Sequence, residues 1–72
     1  MFTIERLTKA NNVLTDGTIE LYRSGTRNLI QFEGWAVLDQ HGRVVINPRH
    51  KQFEVYPLRE TAIRVADALN NP

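Results

Sequence analysis

Apolar and polar residues alternate over several short stretches of this chain, and turn-forming residues separate the stretches. Alternation with a period of two is typical of β-strands that bury one face. Phe2–Leu7 is the first such stretch, with Phe2 and Ile4 on the same face. Turn signals recur at short intervals, at Asn11-Asn12, Asp16-Gly17, Ser24-Gly25, His41-Gly42 and Asn47-Pro48. This spacing predicts consecutive antiparallel strands.

The Asp16-Gly17 pair predicts a β-hairpin. Aspartate followed by glycine favours a two-residue type I′ turn, in which both central residues take a positive φ. That turn would place Leu14 opposite Ile19 and would put Leu14, Ile19 and Leu21 on one face. The hydrophobic pattern agrees with this register, because the polar position between Ile19 and Leu21 then takes the other face.

A second β-rich run, Leu29–Leu38, contains Gly34. A glycine inside a strand marks a bulge or the close approach of another backbone segment. The alternation of Ile30 and Phe32 shifts by one residue at Trp35 and Val37, and one bulge residue at Gly34 would supply that shift. Trp35 has the same parity as Val37, which predicts that the indole belongs to the core rather than to a stacking surface.

Two further strands are expected downstream. Asp39–Gly42 is predicted to close a hairpin onto a strand at Arg43–Ile46, which Pro48 ends because it has no N–H to donate. Gln52–Tyr56 alternates again, and the alternation places Tyr56 away from the predicted core face. There Tyr56 is either an anchor for a partner or a half-buried edge residue, which is the commoner case for tyrosine.

The period becomes helical after Pro57, which suits a first helical turn because its missing N–H is not needed there. The apolar residues of the helical stripe are Leu58, Ala62, Val65, Ala66 and Leu69. Asn70 is predicted to take the left-handed conformation that ends a helix. The predicted fold is α+β, a single domain of residues 1–72 with a small antiparallel β-meander of four to five strands and one C-terminal α-helix packed on one face.

Chain length and composition narrow the classes of function. With 72 residues, of which 42% are hydrophobic, the chain forms one small core without room for a deep interior substrate pocket. A monomeric enzyme is therefore not expected, whereas an enzyme formed across an oligomer interface stays open, as does the oligomeric state. The lack of cysteine favours a reducing compartment, and no apolar run has the length of a membrane span. A chain that starts at Met and remains compact to Pro72 is interpreted as a complete small protein of the cytoplasm.

No residue pattern points to catalysis, to a metal or to a cofactor. Ser24 is the only serine, and no nucleophile-elbow sequence surrounds it. His41 and His50 lack the cysteine partners and the spacing of a zinc site. No glycine-rich loop precedes the helix to bind phosphate. The sequence therefore predicts a protein that is not an enzyme, with no catalytic residue, metal ligand or cofactor.

Charge placement carries the remaining functional signal. The net charge is only +1, but Leu21–Phe32 and Ile46–Phe53 contain basic residues and no acidic ones. If the strands pair in chain order, these loops converge on one edge as a basic patch with tyrosines beside it. The predicted partner-binding residues are Tyr22, Arg23, Arg27, Arg43, Arg49, His50, Lys51 and Tyr56. The alternative interpretation is that they are solvated turn residues that keep a small domain soluble.

Two partner classes fit such a patch. The first is a larger protein with an acidic surface patch, since arginine and tyrosine are frequent interface hot spots. The chain would then be a small regulatory protein, of the kind that phages and plasmids use to modulate a host enzyme such as the transcription machinery. DNA or RNA is the alternative, although the pI of about 8.2 lies below the value near 9 that is usual for dedicated nucleic-acid binders.

About half of the chain has a pattern of strand and helix residues that is similar to that of a known class of small domain. Its residues are Gly34–Val37, Arg43–Val45, Phe53, Thr61, Ala62, Ala66 and Leu69. It resembles the three-stranded sheet and helix of AP2-type and integrase arm-binding DNA-binding domains. This resemblance implies a sheet that faces DNA, and it supports only the alternative function, the binding of DNA or RNA. The sequence departs from that pattern at Pro48, and at Glu33 and Glu54, where such a sheet prefers basic residues.

Overall fold

The computed structural model describes residues 1–21 and 33–72, which form seven short strands and one C-terminal helix. The elements are β1 (Thr3–Leu7), β2 (Asn11–Val13), β3 (Ile19–Leu21), β4 (Gly34–Leu38), β5 (Ile46–Asn47), β6 (Gln52–Phe53), β7 (Val55–Tyr56) and α1 (Arg59–Asn70). All strand pairs are antiparallel, which confirms the predicted α+β class, although the strands outnumber the predicted four to five. The predicted strand residues 29–32 and three predicted site residues, Tyr22, Arg23 and Arg27, lie outside the described residues.

The central sheet has the strand order β1-β4-β7. β1 pairs with β4 from Thr3 opposite Leu38 to Leu7 opposite Gly34, which confirms the strand predicted at Phe2–Leu7 and places its partner in the same chain. β7 pairs with the other edge of β4. Strands from both ends of the chain therefore flank β4, and the sheet order differs from the chain order.

The middle strand, β4, is buried on both of its faces. Ala36, Val37 and Leu38 are all buried, although consecutive side chains of a strand point to opposite faces. Val37 packs with Ala62 and Ala66 of α1, which confirms the predicted helix-covered face. The opposite face packs in a second cluster, formed by Leu7, Val13, Ala36, Leu38 and Val44. The β2–β3 hairpin, through Val13, thus helps to cover this second face.

The predicted register of the β2–β3 hairpin is wrong by one residue. Val13, not Leu14, lies opposite Ile19. The Gly17 N–H donates to the Leu14 carbonyl at 2.9 Å, and Gly17 takes a φ of +90° while Asp16 does not take a positive φ. The Leu14 N–H also donates to the Thr18 carbonyl at 2.8 Å, which leaves Thr15, Asp16 and Gly17 as a three-residue loop. This loop has one left-handed glycine, and it spares aspartate the positive φ that a type I′ turn requires. The shift puts Val13 into the core.

β4 and two later chain segments are joined by a closed ring of three backbone hydrogen bonds. The Val37 N–H donates to the Glu54 carbonyl, the Glu54 N–H to the Val45 carbonyl, and the Val45 N–H to the Val37 carbonyl, each at 2.9 Å. The ring divides the predicted strand Gln52–Tyr56 into β6 and β7.

The hairpin predicted at Asp39–Gly42 is confirmed, because the Asp39 N–H donates to the Arg43 carbonyl at 2.9 Å and Val44 pairs antiparallel with Leu38. The strand predicted at Arg43–Ile46 is confirmed only in this bridge and at Ile46, where β5 begins, because Val45 takes part in the ring.

The helix lies where the sequence predicts it, but its buried stripe is narrower. Ala62 and Ala66 are buried, whereas Leu58 is 64% and Leu69 is 38% exposed. The two alanines have short side chains, which let the helix axis approach the sheet closely. Val65 also packs against the cluster of Val37, Ala62 and Ala66, whereas Leu58 remains mostly in solvent and Leu69 is partly exposed.

The end of the helix also differs from the prediction. Asn70 is the last residue of α1 and is not left-handed, and Asn71 after it has a φ of −129°. The Asn70 side chain binds the Phe2 backbone: its Oδ1 accepts from the Phe2 N–H at 2.7 Å, and its Nδ2 donates to the Phe2 carbonyl at 2.9 Å. The amide thus pairs with both backbone groups of Phe2, as the backbone of a neighbouring strand would. This contact connects the end of α1 to the residue before β1.

We expect Asn70→Ala to lower the free energy of unfolding by about 1–3 kcal/mol, because the Phe2 N–H and carbonyl lose these partners. Urea unfolding followed by circular dichroism measures the change. Asn71→Ala is the matched control, since the Asn71 side chain donates only to the exposed Asp67 carbonyl. Equal losses in the two variants would show that the contact between Asn70 and Phe2 contributes little.

Of the two interpretations of Gly34, the close approach of another backbone segment is confirmed, whereas the bulge prediction depends on residues 30 and 32, which lie outside the described residues. The φ of Gly34 is +143°, and a Cβ at this position would lie 2.5 Å from the Tyr56 carbonyl oxygen. Gly42 provides a comparison, since its φ is +76° but no atom lies within 4 Å of the corresponding Cβ position. The first glycine is therefore required by both conformation and space, and the second by conformation alone.

A pair of alanine substitutions separates these two effects. We expect Gly42→Ala to cost about 1–2 kcal/mol of unfolding free energy through its positive φ. Gly34→Ala should cost more, because β4 and β7 must also move apart. The urea midpoints of the two variants measure the difference, and a smaller loss for Gly34→Ala would contradict the close approach.

Candidate functional site

The β5–β6 hairpin carries three of the predicted basic residues at its tip. Asn47 holds the turn from within: its Oδ1 accepts from the Arg49 N–H at 2.9 Å, and its carbonyl accepts from the Lys51 N–H at 2.7 Å. Lys51 takes a φ of +52°, a left-handed conformation. Arg49, His50 and Lys51 are all exposed. We refer to these three residues as the cationic tip.

The cationic tip has no acidic partner within ion-pair distance among the described residues. In residues 1–21 and 33–72, the one ion pair within 4.0 Å joins Lys9 and Glu33, at 3.8 Å between Nζ and Oε1. The tip cations are thus both exposed and unpaired within the part of the chain that the structure describes. Their charge is available to carboxylates or phosphates of a partner.

Arg43 lies in a different setting, at the turn between β4 and β5. Its backbone N–H donates to the Asp39 carboxylate at 3.1 Å, and this hydrogen bond is the main cause of a lowered Asp39 pKa, to which the charge of Arg43 adds. In the β2–β3 loop, hydrogen bonds from Thr18 lower the Asp16 pKa most, and the charge of Arg43 lowers it further. Arg43 therefore lies near two carboxylates that offset its charge.

Tyr56 is half-buried on the edge strand β7, which confirms the interpretation of a half-buried edge residue, but its predicted orientation away from the core is wrong. The ring packs against the cluster of Val37, Ala62 and Ala66, and the hydroxyl donates to the Glu54 carboxylate. The reason is that the sheet has a core on each face, so the face that alternation assigns to solvent is the one that α1 covers. Only part of this side chain is left for contact with a partner.

A partly open cleft of about 450 Å³ lies where β1 ends and β4 begins. Its lining residues are Arg6, Leu7, Thr8, Glu33, Gly34, Trp35 and Pro57. Chain length excludes a deep interior pocket, but this cleft lies at a corner of the sheet, beside the segment that leads into α1. We call it the Trp35 cleft, and its volume is in the range of sites for small ligands or single side chains.

Two arginines from different elements lie beside Trp35. Arg6 is its partner in the β1–β4 register. The guanidinium carbon of Arg59 lies 5.6 Å from the centroid of the Trp35 ring, which is a cation–π contact. Trp35 itself is half-buried and packs against the Val37 cluster, as its parity predicts, but it also forms a wall of the cleft. Sequence reasoning missed both arginines, because neither lies near Trp35 in the chain.

Comparisons with protein-family models, with curated proteins and with solved structures found no match to this chain. The resemblance to AP2-type and integrase arm-binding domains gains no support from them. Within residues 1–21 and 33–72, no three His, Asp or Glu side chains are grouped so that they could hold a metal ion. The same residues include no helix with the length and apolar character needed to cross a membrane.

The lowered pKa values of Asp16 and Asp39 predict how stability depends on pH. Both lie below the ordinary value of 3.8 in the folded state, so the folded protein binds fewer protons than the unfolded chain in acid. The stability that these carboxylates contribute is present above about pH 4 and is lost as the pH falls through their lowered values. We expect the free energy of unfolding in urea to decrease between about pH 5 and about pH 2.5.

Asp39→Asn tests the assignment of this pH dependence. Asparagine keeps an oxygen that accepts from the backbone N–H groups of His41 and Arg43, but it does not titrate. We expect a shallower decrease of unfolding free energy with pH in this variant. An equally steep decrease would show that other carboxylates cause it.

Proposed function

We propose that this chain is a non-catalytic binding module that docks on an acidic surface of a larger protein through the cationic tip. The observation that carries the proposal is the exposure of Arg49, His50 and Lys51 on one ordered turn, without an acidic partner among the described residues. Exposed cations of this kind act mainly on the rate and specificity of association with an oppositely charged surface.

The backbone of the tip supports this role. Asn47 closes the turn with two hydrogen bonds, so docking does not have to order a loose loop, and the entropic cost of binding is reduced. The guanidinium of Arg49 is planar and can hold a carboxylate through two parallel hydrogen bonds. Lys51 and His50 add donors on either side of the same turn.

A protein partner is favoured over nucleic acid by the charges on the rest of the described surface. Glu5, Glu20 and Glu60 are exposed among the basic residues of this surface, and the net charge of the chain is only +1, so the long-range attraction of a polyanion is weak. A local contact with carboxylates on a protein surface needs only the few cations of the tip. Nucleic acid is the competing class of partner, so the experiment has to distinguish a protein partner from nucleic acid.

The test uses the immobilised chain to capture proteins from a nuclease-treated bacterial lysate, followed by affinity measurement with the captured protein. We expect one stoichiometric partner whose Kd rises about tenfold in Arg49→Gln, the loss typical of one charge-assisted hydrogen bond. Arg64→Gln is the matched control, because Arg64 is exposed on α1 and its replacement removes the same charge elsewhere.

Two outcomes would contradict the proposal. Equal affinities of Arg49→Gln and Arg64→Gln for the partner would exclude the cationic tip as the docking surface. Absence of a protein partner, together with oligonucleotide binding that weakens steeply as salt is raised, would assign the tip to nucleic acid, because released counterions drive that binding.

A further inference from the structure

The Trp35 cleft has a chemistry of its own, separate from that of the cationic tip. We propose that it binds an aromatic side chain of a protein segment, together with a neighbouring carboxylate that pairs with Arg6. The occupant is therefore an acidic aromatic peptide segment. The inference rests on the proposed function only in taking the occupant to be part of a protein.

The walls of the cleft combine an apolar slot with an anion contact. Trp35 and Pro57 contribute rigid, flat side chains, and Gly34 has no side chain to obstruct the space between them. Arg6 is exposed and lies beside Trp35, where its guanidinium can bind a carboxylate through two hydrogen bonds. Buried aromatic anchors and arginines are the residue types that dominate the energy of protein interfaces.

The charges around the cleft favour an anionic occupant over a cationic one. Arg59 places a second guanidinium over the indole of Trp35. Glu33 is the acidic wall residue, but Lys9 Nζ lies 3.8 Å from its carboxylate and offsets its charge. A carboxylate near Arg6 thus meets a positive surrounding, and a lysine-rich segment is repelled.

A nucleotide is a poorer fit to these walls than a peptide. Stacking of a base on a protein aromatic requires an uncovered ring face. Arg59 covers one face of Trp35, and the indole also packs against the Val37 cluster. A base would have to displace Arg59, whereas an aromatic side chain can approach the indole edge-to-face.

Trp35 is the only tryptophan in the chain, so its fluorescence reports occupation of the cleft directly. The probes are blocked tripeptides: Asp-Phe-Asp as the candidate, Asp-Ala-Asp without the ring, and Lys-Phe-Lys with the opposite charge. Adenosine monophosphate is the nucleotide probe. We expect a saturable change with Asp-Phe-Asp and a Kd at least about tenfold higher for each of the other probes.

Variants of Arg6 test the anion contact. We expect Arg6→Gln to weaken binding of Asp-Phe-Asp about tenfold and Arg64→Gln to leave it unchanged. Arg6→Lys keeps the charge without the planar fork and should recover part of the affinity. Circular dichroism and the urea midpoint show that each variant is folded, which the exposure of Arg6 leads us to expect.

The proposal is overturned if Asp-Phe-Asp causes no saturable fluorescence change at millimolar concentration, or if Arg6→Gln binds it unchanged. A response to adenosine monophosphate alone would assign the cleft to nucleotides. Arg49→Gln is expected to bind the tripeptide as the unmodified chain does. Failure of the cationic tip and failure of the Trp35 cleft therefore give different patterns of results.

Discussion

The need to cover β4 on both faces is the constraint on which the rest of this structure depends. Ala36, Val37 and Leu38 are consecutive, so their removal from water requires an apolar layer on each side of the sheet. α1 supplies one layer, and the β2–β3 hairpin together with Val44 supplies much of the other. A chain of 72 residues thereby divides its apolar side chains between two thin cores.

This division determines where contact surfaces can form. Both faces of the central sheet are used for folding, so within residues 1–21 and 33–72 the sheet leaves its hairpin tips and its corner for contact with partners. The two positions differ in kind: the cationic tip offers charge on an ordered turn, whereas the Trp35 cleft offers shape, an aromatic wall and two flanking guanidinium groups, those of Arg6 and Arg59. A small protein with both can combine rapid electrostatic encounter with a specific anchor.

Several elements could be predicted from the sequence because they depend on local chemistry. The period of two at Phe2–Leu7 and the helical period after Pro57 indicate elements that the structure contains. Gly34 could be interpreted as a close approach, because only glycine tolerates both its φ and the neighbouring carbonyl. At the site, the exposure of residues 49–51 follows from a run of polar residues around a proline turn.

The sequence by itself thus determined the type of each main element and the location of its charged turns, since these follow from neighbours within a few residues. Only the tertiary structure decided the register of β2–β3, the second core that turns Tyr56 inward, and the meeting of Arg6, Trp35 and Arg59. The physical reason is that these features arise from contacts between segments far apart in the chain. Periodicity shows that a face is apolar, but it does not show which segment will cover it.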